Sequence, residues 1–109
     1  MIGFRGFIIF TVAASLALAG CGGKEEASSN AAAGKKVFKE KCGICHTLAD
    51  AGSTGTTGPD LDAAKPDAER VSAQIKSGGG AMSPNIVTGA DSKAVSAYVA
   101  KVAGKTAPQ

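Results

Sequence analysis

The sequence predicts an all-α domain, and three observations predict it. Three segments carry apolar residues at helical spacing behind capping residues, no segment alternates apolar and polar residues as a half-buried strand does, and the connectors are rich in glycine, threonine and serine. The chain has 109 residues, which is one small domain at most, and its first twenty have the make-up of a processed targeting segment. From Ala31 onward large apolar side chains are sparse, with Phe38, Ile44, Leu48, Ile75, Tyr98 and Val99 among them. A domain so small buries barely enough surface to offset chain entropy, so it calls for a staple: a disulfide, a metal or a large apolar group that fills the interior.

The N-terminus reads MIGFRGFIIFTVAASLALAGC, with one positive charge at Arg5, an apolar run from Gly6 to Leu18 and small residues before a cysteine. That order is a secretory signal. The ending Leu18, Ala19, Gly20, Cys21 resembles the bacterial lipoprotein signal, which implies that residues 1–20 are removed and that Cys21 carries lipid as the first mature residue. An ordinary signal cleaved near Ala19 and an uncleaved membrane helix are the alternatives; the run is near the lower limit of spanning length. All three place the domain on the extracytoplasmic face of a bacterial membrane, periplasmic or at the cell surface. Residues 21–30 then read as a flexible tether, since GGKEEASSN is polar and without apolar periodicity. Nine such residues span roughly 15 to 18 Å as a coil and at most about 30 Å extended, which keeps the domain, residues 31–109, close to the membrane.

The first helix is expected after the Ser28, Ser29, Asn30 cap cluster, through AAAGKKVFKEKC, with Gly34, Val37, Phe38 and Lys41 along one stripe. Glycine is costly inside a helix, so Gly34 marks a close packing contact. A second helix is expected from near Pro66, suited to a first helical position, carrying Ala68, Val71 and Ile75 to a stop at Gly78. A third starts at Thr88 and Asp91 in capping-box spacing, places Val95, Tyr98, Val99 and Val102 on one face and stops around Gly104. Tyr98 is read as a core aromatic, and Asp60, Asp62, Asp67 and Glu69 as solvated or capping, with no pairing that argues for acid–base catalysis.

The segment KCGICHTLAD holds two cysteines and the only histidine of the chain within five positions, Cys42 to His46. A C-x-x-C pair suits a zinc knuckle, a dithiol redox pair or haem attachment. Structural zinc needs four ligands; beyond Cys42, Cys45 and His46 the only further cysteine or histidine of the mature chain is Cys21, claimed by the lipoprotein signal, and although a carboxylate could complete the set, adjacent Cys45 and His46 are awkward partners in one tetrahedron. A thioredoxin-like dithiol needs a βαβ surround that this helical chain lacks, and leaves His46 without a role. Haem accounts for every element: on a helical turn the two sulfurs can form thioethers with the two vinyl groups of one porphyrin, and His46 follows as proximal iron ligand. A covalently attached haem c would also supply the missing interior.

With these residues on the page, the chain resembles the class I cytochromes c of the small bacterial type over nearly all of residues 31–104. The matching residues are Gly34, Val37 and Phe38 ahead of CGICH, then GPDL at 58–61, a lone methionine at Met82, and AYVAKV at 97–102. The resemblance implies three or more helices and Gly-rich loops wrapped around one haem, with the first and last helices crossing at Gly34 and Tyr98. It also implies that the Pro59 carbonyl accepts the ring N–H of His46, which fixes the tautomer and strengthens the imidazole as a donor. Met82 is implied as the second axial ligand; once Met1 leaves with the signal it is the only methionine, and no second histidine exists. The family often follows its methionine directly with proline, whereas Ser83 intervenes here before Pro84.

Without Arg5 the chain keeps eleven basic and nine acidic residues, a formal +2 that two haem propionates would cancel. Lys35, Lys36, Lys39 and Lys41 spread around a helix without aromatic interleaving, a solvated face and no nucleic-acid site. KSGGGAMSP and GSTGTTGPD lack phosphate-loop spacing and read as loops against a flat cofactor. The expectation is a membrane-tethered, monomeric monohaem carrier passing single electrons between a donor and an acceptor redox protein by transient docking, with iron cycling Fe(III)/Fe(II). The competing readings are a haem enzyme or a gas- or peroxide-responsive sensor with an open sixth site, and a fixed electron-entry subunit of one complex.

Overall fold

The structure, a computed structural model, describes residues 22–105, with side chains from residue 30 onward. Residues 1–20, read above as a signal, and Cys21 lie outside the described residues. Four helices make up most of the fold: α1 (Gly22–Val37), α2 (Leu61–Ala64), α3 (Ala68–Ser77) and α4 (Gly89–Val102). The all-α expectation holds, with one small addition. Thr47–Leu48 (β1) and Ser53–Thr54 (β2) pair antiparallel, Thr47 opposite Thr54 and Leu48 opposite Ser53, around a 3₁₀ turn at Ala49–Ala51. Two-residue strands are too short to show alternation, so the sequence carried no sign of them.

α1 starts at Gly22 and not behind the Asn30 cap cluster, so residues 22–30, read above as flexible tether, are helical here. Once a helix is nucleated, each added residue forms a hydrogen bond at little cost, and Lys24, Glu25, Glu26 and Ala27 are good helix formers. At its other end α1 runs into a π-turn, Phe38–Cys42, closed by Gly43 N–H donating to Phe38 O at 2.8 Å. Such a wide turn inserts one extra residue per hydrogen-bonded ring, and here it delivers Cys42 at the mouth of the C-x-x-C-H segment.

Two of the four acidic residues read as solvated or capping do cap. Asp60 starts α2 by accepting from Asp62 N at 2.9 Å and Ala63 N at 3.3 Å. Asp67 starts α3 by accepting from Arg70 N at 2.8 Å, which puts Pro66 before the cap and not at the first helical position. Thr88 does stand at the N-cap of α4, but its side chain makes no capping hydrogen bond. Asp62 behaves differently: it is neither a cap nor merely solvated, since its two oxygens accept from Ala49 N and Gly104 N, both at 2.8 Å.

α1 crosses α4 at Gly34, where the glycine lies against the backbone carbonyl of Ala94 and the Cβ of Tyr98. The Tyr98 ring is buried and tilts against Phe38 with centroids 6.2 Å apart, an edge-to-face spacing. Its hydroxyl donates to Asp50 at 2.5 Å, so the ring is core and the hydroxyl has a partner. Burial, then the Asp50 hydrogen bond, hold the Tyr98 hydroxyl well above the usual phenol range. Lys35, its side chain still largely in solvent, approaches the same carboxylate at 3.7 Å. Ile44, by contrast, is 81% exposed.

Candidate functional site

The π-turn, the loop before α2, the loop 78–85 and the inner faces of α3 and α4 enclose a cleft of about 410 Å³. Apolar side chains make up much of its wall, among them Phe38, Leu61, Ile75, Val95 and Val99, the make-up of a site that buries a large organic group. The amphipathic faces of α3 and α4 explain it: residues spaced to pack a core also line this hollow.

The structure brings Cys42, Cys45, His46, Pro59 and Met82 together on the lining of this one cleft. Cys42 and Cys45 are free thiols, both half-buried. Burial, then the neighbouring Cys45, push the Cys42 thiol up to about 11. Among the described residues no three His, Cys, Asp or Glu side chains converge on a shared metal position.

His46 is held by its ring. Its Nδ1 lies 2.8 Å from the carbonyl of Pro59, and because a carbonyl only accepts, Nδ1 carries the proton and donates. In the tautomer with its proton on Nδ1, Nε2 keeps the lone pair with which imidazole binds iron. Gly58 makes this possible: a Cβ there would collide with the His46 ring, 2.7 Å from Nδ1 and 3.0 Å from Nε2. The same glycine donates its N–H to Cys45 O at 2.7 Å. Gly58 thus lies close against the imidazole, where any side chain on it would intrude.

Met82 is half-buried, packs against the core cluster and lines the cleft. Its backbone exchanges both hydrogen bonds with Gly79, each 2.9 Å. Gly78 ends α3 with φ +64, and a Cβ on it would come within 2.6 Å of Pro84 N and 2.7 Å of Met82 O, so only glycine lets the loop fold back this tightly. Ser83 lies exposed on the outer side of that loop, and the extra residue ahead of Pro84 does not take Met82 out of the cleft.

The donor set and the hollow fit a covalently held haem: two unpaired sulfurs three residues apart, an imidazole with its second nitrogen engaged, a thioether on a pinned loop and an apolar wall. Sequence reasoning overlooked Arg70 and Gln74 of α3, which also line the cleft; nothing in their local pattern separates them from a solvated helix face. It overlooked the Asp62 contacts as well, because both partners lie far along the chain.

Residues 29–99 match the protein family described as cytochrome c oxidase, cbb3-type, subunit III. Among solved structures, the crystal structure of the c-type cytochrome SorU from Sinorhizobium meliloti is similar at 44% identity and a TM-score of 0.69, covering 74% of this chain and 99% of that one. Among curated protein sequences none matches significantly.

Proposed function

The chain belongs to the cytochrome c family, in the group that the cbb3-type subunit III description covers, and from that membership we propose that it is a membrane-tethered monohaem electron carrier with His46 and Met82 as axial ligands. The observation that carries the proposal is the His46 ring bond to Pro59, which leaves Nε2 without that partner on a residue lining the same cleft as Met82, Cys42 and Cys45. A bound haem c supplies one-electron ferric/ferrous chemistry.

The residues of the chain do the rest. Cys42 and Cys45 would each give one sulfur to a thioether and so hold the haem covalently. Pro59 O keeps the Nδ1 proton on His46 and so maintains the donor strength of Nε2. The apolar side chains of Val95, Val99 and Ile75 on the cleft wall would lower the dielectric around a bound haem, a second lever on potential. No proton donor or acceptor pair in the cleft is arranged for acid–base work; its titratable members are the two thiols, His46, Lys41 and Arg70. We take the donor and acceptor to be larger redox proteins met in brief encounters, with this chain a monomer on the extracytoplasmic side.

A reduced-minus-oxidised spectrum with pyridine haemochrome, on protein made with haem-attachment machinery, tests the proposal. We expect the c-type signature of two thioethers, shifted to that of one in Cys42→Ser and in Cys45→Ser. A wild-type protein without a c-type spectrum would overturn the reading.

The tether is tested separately. LALAGC ahead of a polar spacer supports lipid on Cys21, and durable anchoring takes more than one acyl chain, which lipoprotein processing provides. Cys21→Ala is expected to release haem-loaded protein from the membrane fraction or to block its maturation. A variant of unchanged mass that stays in the membrane fraction would favour the uncleaved helix instead.

A further inference from the structure

We propose that Asp62 is a positioning residue that holds the segment carrying Pro59 against the segment carrying His46, and so sets the strength of the His46 ring bond. The inference rests on the reading of His46 as an iron ligand and adds to it the residue that governs its orientation.

Two stretches of chain run beside each other here, and three bonds tie them in succession. Gly58 N–H donates to Cys45 O at 2.7 Å. The His46 ring donates to Pro59 O at 2.8 Å. Ala49 N–H donates to Asp62 Oδ2 at 2.8 Å. The last tie lies three residues beyond the ring bond on both strands, so the ring bond sits between two fixed points. On the near side of Pro59 the two stretches are also tied by Thr47 Oγ1 donating to Gly55 O at 2.8 Å; beyond Pro59 the hydrogen bond that ties the α2 side to the segment after His46 is the one to Asp62.

The other oxygen of Asp62 accepts from Gly104 N at 2.8 Å, just past the end of α4. Lys65, at the end of α2, lays its aliphatic stem over Gly104, where a Cβ would meet Lys65 Cε at 2.5 Å. The carboxylate therefore joins three parts of the chain: the segment after His46, the helix after Pro59 and the end of the last helix. Helix capping does not account for this, since Asp60 already caps α2. These bonds lie at the surface, so water can replace the carboxylate with little loss of global stability. What water cannot replace is the distance between the two segments.

The test measures hydrogen exchange of the His46 Nδ1 proton by NMR in the haem-loaded protein, with wild type, Asp62→Ala, Asp62→Asn and, as a control that removes a helix cap elsewhere, Asp67→Ala. Asp62→Ala is expected to speed exchange by about tenfold or more, which corresponds to about 1.4 kcal/mol of easier local opening. Asp62→Asn keeps one acceptor oxygen and is expected to fall between, and it carries the test if the alanine variant does not load haem. Asp67→Ala is expected to match wild type. Exchange unchanged in the Asp62 variants, or raised equally in Asp67→Ala, would overturn the role of Asp62 while leaving the carrier reading intact. A loaded wild-type protein whose His46 does not bind iron would overturn both.

Discussion

Met82→Ala is expected to lose the weak far-red absorption of sulfur–iron ligation in the ferric state and to show a reduction potential well below that of the wild type. The drop should be a sizeable share of the roughly 0.8 V over which axial ligands set haem potentials. A thioether is a soft ligand that favours ferrous iron; without it a harder ligand such as water or lysine nitrogen favours ferric iron and lowers the potential. No second thioether or imidazole can step in, because beyond Met1 the chain has no other methionine and His46 is its one histidine. The loop supports the assignment: Met82 is pinned at both backbone bonds to Gly79 and its side chain lines the cleft, whereas a mere packing methionine needs no such fixed backbone. Absorption spectra and a redox titration of both proteins check the expectation. A wild-type protein that is high-spin, binds carbon monoxide readily and turns over peroxide would replace the carrier with an enzyme or sensor.

Gly34→Leu is expected to destabilise the domain by roughly 1 to 3 kcal/mol or more, the range of core overpacking, or about 4 to 8 °C in Tm for each kcal/mol in a domain of this size. At Gly34 a Cβ would run into the Ala94 carbonyl and come within 2.5 Å of Tyr98 Cβ. Neither obstacle is the free end of a flexible side chain, so the two helices themselves must separate. Tyr98 has little freedom to yield, with its hydroxyl on Asp50 and its ring against Phe38, and Phe38 lines the cleft. Separation of α1 from α4 therefore loosens the wall of the site as well. Alanine, with a Cβ alone, should cost less. Thermal and urea unfolding of the loaded proteins decide it, and a leucine variant as stable as wild type would remove the contact from the account.

How much was legible in the sequence follows from distance along the chain. α3 and α4 were placed to within about two residues because helical periodicity and caps are local signals. The crossing of α1 and α4 came from family resemblance, with a glycine in an otherwise helix-favouring segment as its local trace. α2 was missed because four residues hold no period, and its cap, Asp60, looks like any loop aspartate. The start of α1 was misplaced because a strong cap cluster, Ser28 to Asn30, stood within a stretch that continues as helix.

By itself the sequence determined the helical class and the grouping of Cys42, Cys45 and His46 within five residues, since those features need only neighbours in the chain. Only the tertiary structure decided which groups share the cleft, that Gly58 lies close against the His46 ring, that Lys35 and Tyr98 meet at Asp50, and that Asp62 joins three segments. The physical reason is that hydrogen bonds and van der Waals contacts act over a few ångströms. Residues such as Asp62 and Gly104, 42 positions apart, interact only after the helices have packed, and no local pattern announces their meeting.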